Sequence, residues 1–270
     1  MSNFDLTHSP SLTARSVRIL WASILPAALL IAYQLWSSSN QDPFFPTIPV
    51  MVEDFRAAWI GEGFTQHVIP SLTNLAIGYS AGLILGVLGG IALGRIHFLR
   101  RATEPVVGFI LTIPAIALLP LFLIFLGIGQ QLQVGIIAFS VFFIVLVMTT
   151  YAVVGIEGVL LDVCDIYRIR GLRRLTRVLF PAVIPQVLSA ARITLSLSVL
   201  VMVVSEMIGA SQGIGATILL AQQSFDYGQM WAGMLLLAVL GISLNLLFTI
   251  GERTLLISTG YEVPSRRRIS

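Results

Sequence analysis

Apolar residues along the chain gather into six long runs separated by shorter polar segments. They cover approximately Val17–Trp36, Val68–Leu93, Pro105–Leu126, Leu132–Gly155, Ile184–Ala210 and Met230–Leu256. Each reaches the roughly 20 residues that a helix needs to cross about 30 Å of hydrocarbon. The pattern predicts an all-α, polytopic membrane protein with about six transmembrane helices. The third run is the least regular, because Pro114 and Pro120 fall inside it. Proline removes a backbone donor and kinks a helix, and in lipid such a break must be satisfied by neighbouring helices or a wet cavity. The first run is long for a signal-peptide core and no small-x-small cleavage site follows it, so it is expected to stay as the first helix.

Charge placement orients these spans. Arg15 and Arg18 precede the first; Arg95, Arg100 and Arg101 follow the second. Arg168, Arg170, Arg173, Arg174 and Arg177 lie after the fourth, and Arg253, Arg266, Arg267 and Arg268 at the C-terminal end. With six spans all of these fall on one side, and the other side carries only Arg56 among Asp42, Glu53, Asp54, Glu62 and Asp226. The positive-inside rule then places both termini in the cytoplasm. An odd number of spans would destroy the separation.

Composition agrees with a membrane protein and narrows the chemistry. Hydrophobic residues make up 56% of the 270, charged residues 11%, and the mean hydropathy is +0.92. A soluble surface needs far more charge. The net charge of +3 comes from arginine alone, since there is no lysine, and its location speaks for membrane topology rather than nucleic acid. One cysteine, Cys164, excludes an intrachain disulfide and any multi-cysteine metal site. No HExxH, GxSxG or phosphate-binding glycine loop with lysine is present, and His8, His67 and His97 are scattered. The sequence therefore offers no catalytic residues, no metal ligands and no ATP site.

Four features rise above this background. Gly78, Gly82, Gly86, Gly90 and Gly94 recur every four residues in the second span, forming a small-residue ridge that lets a partner backbone approach closely. The segment from Glu157 to Pro181 is patterned rather than plain linker. Leu172, Leu175 and Leu179 stand at helical spacing opposite Arg173, Arg174 and Arg177, and Val163, Ile166 and Tyr167 form a shorter stripe upstream of Gly171. Such a helix–turn–helix either docks into a groove on a soluble partner or lies on anionic lipid; both readings stay open. In the fifth span, Arg192 lies near the expected inner end and Glu206 near the outer. They are roughly 21 Å apart at 1.5 Å per residue, too far to pair. Charges there face the bundle interior or water. Arg192 either snorkels to headgroups or serves a cap or interface. Glu206, with Ser205 and Met202 on the same span and Pro114 at the break in the third, is a candidate for the translocation path or its gate. The bland reading of Glu206 is a buried carboxylate bonded to amides of the loop that follows. That loop, with Gly209, Gly213 and Gly215, is the fourth feature, and on spacing alone it reads as a turn.

The chain from about His67 to Tyr261 resembles the permease subunits of bacterial ABC importers for nitrate, sulfonates, taurine and bicarbonate. The resemblance rests on Pro70-Ser71-Leu72 with the glycine ridge, on Pro114–Leu121 and Phe125-Leu126-Gly127-Ile128-Gly129, on Pro181–Pro185 with Ala191-Arg192-Ile193, and on Ser205–Gly209 with Gly213-Ile214-Gly215. The family's cytoplasmic loop reads E-A-A, three residues, Gly, nine residues, Ile-x-Leu-Pro. Setting its proline on Pro181 without gaps puts Asp162-Val163-Cys164 at E-A-A, Arg168 at the glycine, and Val178 and Phe180 at Ile and Leu. The motif is degenerate, and the turn glycine is expected at Gly171 instead.

The resemblance implies the type I importer permease fold: residues 1–66 as an N-terminal tail, first span and outer loop, 67–260 as the permease core, and 261–270 as a basic tail. It implies an inner-membrane subunit that is not itself an enzyme and binds no cofactor, with ATP and Mg held by partner cytoplasmic ABC ATPase subunits. Further implied partners are a second permease subunit, an extracytoplasmic substrate-binding protein and membrane lipid, but no nucleic acid. Coupling to the ATPase would fall to Asp162, Val163, Cys164, Tyr167, Arg168, Gly171, Leu172 and Leu175. The solute would be a small anion resembling nitrate, a sulfonate or bicarbonate. The rival is an ion-coupled secondary transporter, which calls for acids at mid-membrane on broken helices; the one interrupted span has none between Pro105 and Leu126.

Overall fold

The computed structural model describes residues 12–40, 42–156, 163–164, 166–169, 171–174 and 178–258, leaving aside the side chains of 12–23, 172, 257 and 258. Of the coupling candidates, Asp162 and Leu175 lie outside the described residues, as does the basic tail from 261 to 270. Helix α1 runs Leu12–Asn40 and α2 Ile48–Trp59. A single π-helical turn, Phe64–Val68, leads into α3, Ile69–Arg95, with Pro70 in its first turn, where a missing N–H costs nothing. Next come α4, His97–Thr112, and α5, Leu119–Leu126, joined through Ile113, Pro114 and a 3-10 turn at Ala115–Leu118. Helix α6 is Gln130–Val154; the short α7 is Gly171–Arg174; α8 is Phe180–Gly209; α9 is Ile214–Gln223; α10 is Tyr227–Ser258.

Four helical stretches are long and apolar enough to cross a bilayer: Phe64–Arg95, Gln130–Val154, Phe180–Gly209 and Tyr227–Leu256. The pair α4 and α5 makes a fifth when taken as one span, bent by 89°. The proline-rich third run is thus broken near Pro114. The described residues account for four of the six expected crossings, or five if the bent pair is one span, and α1 coincides with the remaining run.

Helix α6 is the axis of the fold, with half of its apolar window buried against 11% for α10. Its main partner is α3. A Cβ on Gly78, Gly86 or Gly90 would lie 2.9, 2.8 or 2.6 Å from the Cβ of Ile137, Val145 or Thr149, and one on Gly82 2.5 Å from the Ala138 carbonyl oxygen. Gly94 stands in the same way against Val153. Residue numbers rise together on both sides, so α3 and α6 run parallel, as the intervening α4–α5 return demands. The glycine ridge is a packing device, and every step of it is used. Leu75, Ile136, Ile137, Val141, Val145, Val201 and Met202 fill the space between α3, α6 and α8. A second cluster, of Trp59, Val68, Ile214, Ile218, Ala232 and Leu236, joins α2, α9 and α10 at the end where α3 begins.

Aromatic side chains fasten α1 at that same end. The Tyr33 hydroxyl donates to the Pro46 carbonyl (2.8 Å), the Ser37 hydroxyl to the Phe45 carbonyl (2.6 Å), and Trp231 Nε1 to the Phe44 carbonyl (2.9 Å). Trp36 meets Phe45 edge-on at 5.1 Å, and Phe44 lies 4.4 Å from Tyr227.

Candidate functional site

The chain ends α8 and begins α9 around one buried carboxylate. Glu206 is fully buried, and its Oε2 accepts the Gly215 N–H at 2.8 Å. Its Oε1 has no hydrogen-bond partner among the described residues. A buried charge is tolerated only where donors offset the lost water. The Gly213–Gly215 backbone supplies such a donor because it can press onto the carboxylate. A Cβ on Gly213 would lie 2.6 Å from Glu206 Cδ, and its φ of 129° is closed to L side chains. The glycine pair therefore does more than turn the chain.

Two further side chains occupy neighbouring amides at the start of α9. His67 Nδ1 accepts the Gly213 N–H (3.2 Å) and Ser71 Oγ the Ile214 N–H (3.0 Å). The Ser71 hydroxyl spends its own proton on the His67 carbonyl (2.9 Å). Three consecutive N–H groups, normally orphaned at a helix start, are thus held by α8 and by the turn that opens α3. Sequence reasoning treated His67 as scattered and quoted Ser71 only within a motif; their link to Gly213 and Ile214 crosses more than 140 residues. Glu206, Ser205 and Met202 all sit inside this packing, 0–1% exposed. Pro114 instead lines a cavity of about 250 Å³ between the α4–α5 break, α6 and α8.

Beside this lock lies a cavity of about 390 Å³, walled by the first turns of α3 and α6 and by the loop after α8. Asn74 and Gln133 line it, 7% and 3% exposed, and Asn74 Nδ2 donates to Gln133 Oε1. Neither residue was singled out from the sequence.

At the opposite end, Arg192 serves a helix–helix interface, one of the roles that the sequence left open. Its Nη2 donates to Thr249 Oγ1 (3.0 Å) and to Glu252 Oε2, tying α8 to α10. Glu252 is the partner that sequence reasoning missed, although it is the one carboxylate in the last run.

The segment that the resemblance marks for coupling shows how its turn is made. Val163, Cys164 and Ile166 are helical, and the Ile169 N–H donates to the Cys164 carbonyl at 2.8 Å across a left-handed Arg168, φ 54°. A six-to-one bond over one left-handed residue is the Schellman termination, which favours glycine at that position. The helix therefore ends at Arg168, and Gly171, φ 62°, opens α7 as a second left-handed turn. The expected displacement of the turn to Gly171 is corrected: both positions turn. Val163, Ile166 and Tyr167 are exposed, whereas Cys164 is buried.

Comparison with known proteins extends this geometry. Residues 78–255 match the family model described as binding-protein-dependent transport system inner membrane component. SsuC of Bacillus subtilis (strain 168), named for aliphatic sulfonates transport, is 26% identical over 235 residues, 86% of this chain and 85% of that one. The nitrate import permease protein NrtB of Synechocystis sp. is 25% identical over 85% of this chain and 86% of its own length. The taurine transport system permease protein TauC of Escherichia coli (strain K12) is 26% identical over 67% and 66%. Among solved structures, a chain of the MetNI methionine ABC transporter, in inward-facing form, superposes with a TM-score of 0.60 at 21% identity, covering 72% of this chain and 94% of that chain. A family match over more than half of the residues, together with that structural likeness, makes this chain a member of the binding-protein-dependent transport system inner membrane components, with the type I ABC importer permease fold.

Proposed function

We propose that this chain is one of two permease subunits of an ATP-driven, binding-protein-dependent importer of a small oxyanion. The observation that carries the reading is the likeness to permeases named for sulfonates, nitrate and taurine along most of their length. Six spans with both termini in the cytoplasm follow if α1 is the first crossing. The arginine-bearing segments then face inward, and the Tyr33–Trp36–Trp231 cluster lies at the outer headgroup level, where aromatic rings concentrate.

In this arrangement the segment from Asp162 through Val163, Cys164, Tyr167, Arg168 and Gly171 to Leu172 and Leu175 is the coupling lever. The exposed Ile166 and Tyr167 enter a groove of the ATPase. ATP and Mg bind to that partner, and its closing and opening drive the paired permeases between outward and inward states. Glu206 locks the outer end of the pathway wall through Gly215 and does not contact solute; an acid would repel an anion.

Purified with its co-isolated ATPase and binding protein and placed in proteoliposomes, the complex is expected to accumulate labelled nitrate or taurine only when ATP is supplied. Accumulation driven by an ion gradient without ATP would overturn the proposal.

A further inference from the structure

The cavity between the starts of α3 and α6 is built from groups that suit one kind of guest. Its walls carry no charged residue; the polar ones are Thr73, Asn74, Gln130, Gln133, Ser211 and Gln212. Asn74 and Gln133 are more than nine-tenths buried and spend one amide group each on their mutual bond. Exchanging amide oxygen and nitrogen in both leaves the count unchanged: one amide oxygen and one NH₂ remain. As placed, the NH₂ left over is Gln133 Nε2, and with both amides exchanged it would be Asn74 Nδ2, so in either case one donor of the pair lines the cavity without a hydrogen-bond partner among the described residues.

Helix α6 adds donors of the same sign. It starts at Gly129, held at φ 121° with its own N–H bonded to the Gly209 carbonyl (3.0 Å), and among the described residues its cap makes no side-chain hydrogen bond. The free N–H groups and the positive end of a 25-residue helix face the same wall. Glu206 is buried and not among the lining residues, and its Oε2 is taken by the Gly215 N–H.

We propose that this cavity is a solute subsite at the outer mouth, which holds an oxyanion through neutral donors centred on Gln133 and on the first turn of α6. This rests on the importer reading above. Neutral donors suit the task, since a transported ion must bind well enough to enter and weakly enough to leave. A fixed arginine would hold it too long, and no carboxylate stands among the described wall residues to draw a cation instead.

The test uses the reconstituted complex with labelled nitrate and taurine as probes. Gln133→Glu places a like charge against the guest, and uptake is expected to fall about tenfold or more, while ATPase stimulation by the binding protein persists. Asn74→Leu with Gln133→Leu replaces both partners by apolar groups of similar size, which folding tolerates, and is expected to lose uptake with the same ATPase signal retained. Wild-type uptake by either variant would overturn the subsite and leave the importer reading standing. Failure of the unmodified complex to import either probe would overturn both.

Discussion

At Arg168 the chain accepts a left-handed conformation that the related motif gives to glycine. That conformation costs an L residue roughly 1–2 kcal/mol, whereas glycine would add only about 0.4–1 kcal/mol of unfolded-chain entropy. Arg168→Gly is therefore expected to stabilise the purified protein by up to about 1 kcal/mol, read as a raised melting temperature; a lowered one would contradict the Schellman assignment. On the other face, Asp54 of α2 is pushed above the usual carboxylate range, first by partial loss of water, then by the charges of Asp226 and Glu53. Its folded form holds a proton more tightly than its unfolded form, so stability rises as pH falls through the raised value. Asp54→Asn is expected to melt higher than the parent at about pH 7.5, with the gap closing in acid. A lower melting temperature for the variant at that pH would show the carboxylate to be stabilising. Most of this scale was illegible in the sequence. The acid Glu206 and the glycines after it stand out in a linear reading, but His67 and Ser71 lie far upstream, and only folding brings them to the same three amides.

Between elements, one four-residue rhythm organises the core. Gly78, Gly82, Gly86, Gly90 and Gly94 on α3 meet Ile137, Val141, Val145, Thr149 and Val153 on α6. The ridge was plain in the sequence because five glycines share one spacing; its partner was hidden, because large apolar residues repeat everywhere in α6. Carried one step upstream, the same rhythm arrives at Asn74 and Gln133, the amide pair that opens the outer cavity. That extension was the available signal for both residues. Gly86→Leu should be strongly destabilising, since even its Cβ would lie 2.8 Å from Val145 Cβ and 2.9 Å from the Phe142 carbonyl oxygen. Overpacking of this kind costs roughly 1–3 kcal/mol. Gly241→Ala on α10, where a Cβ would meet nothing within 4 Å, should leave stability unchanged or slightly improved. Yield and melting temperature of the two variants in detergent compare them directly, and equal behaviour would contradict the α3–α6 packing. The long spans were legible because hydrocarbon thickness fixes their length. Helix α2 was not, since twelve amphipathic residues, too few to cross a bilayer, carry no such constraint.

For the whole molecule, the central claim is a division of labour. In the proposed function this chain supplies a wall of the pathway, an outer lock around Glu206 and a cytoplasmic lever from Asp162 to Leu175, and a separate subunit supplies the energy. In the sequence that plan came from the resemblance to importer permeases and from the lack of any ATP-binding motif. The Arg192–Glu252 tie between α8 and α10 was not legible there, because its partners are 60 residues apart. The most direct measurement is a gentle affinity purification in detergent from the native membrane, with every co-purifying chain identified. The account expects an ATPase bearing a Walker motif in stoichiometric amount, with either a second copy of this chain or a related permease. A lone, monodisperse 29.3 kDa chain that carries out transport unaided would contradict it.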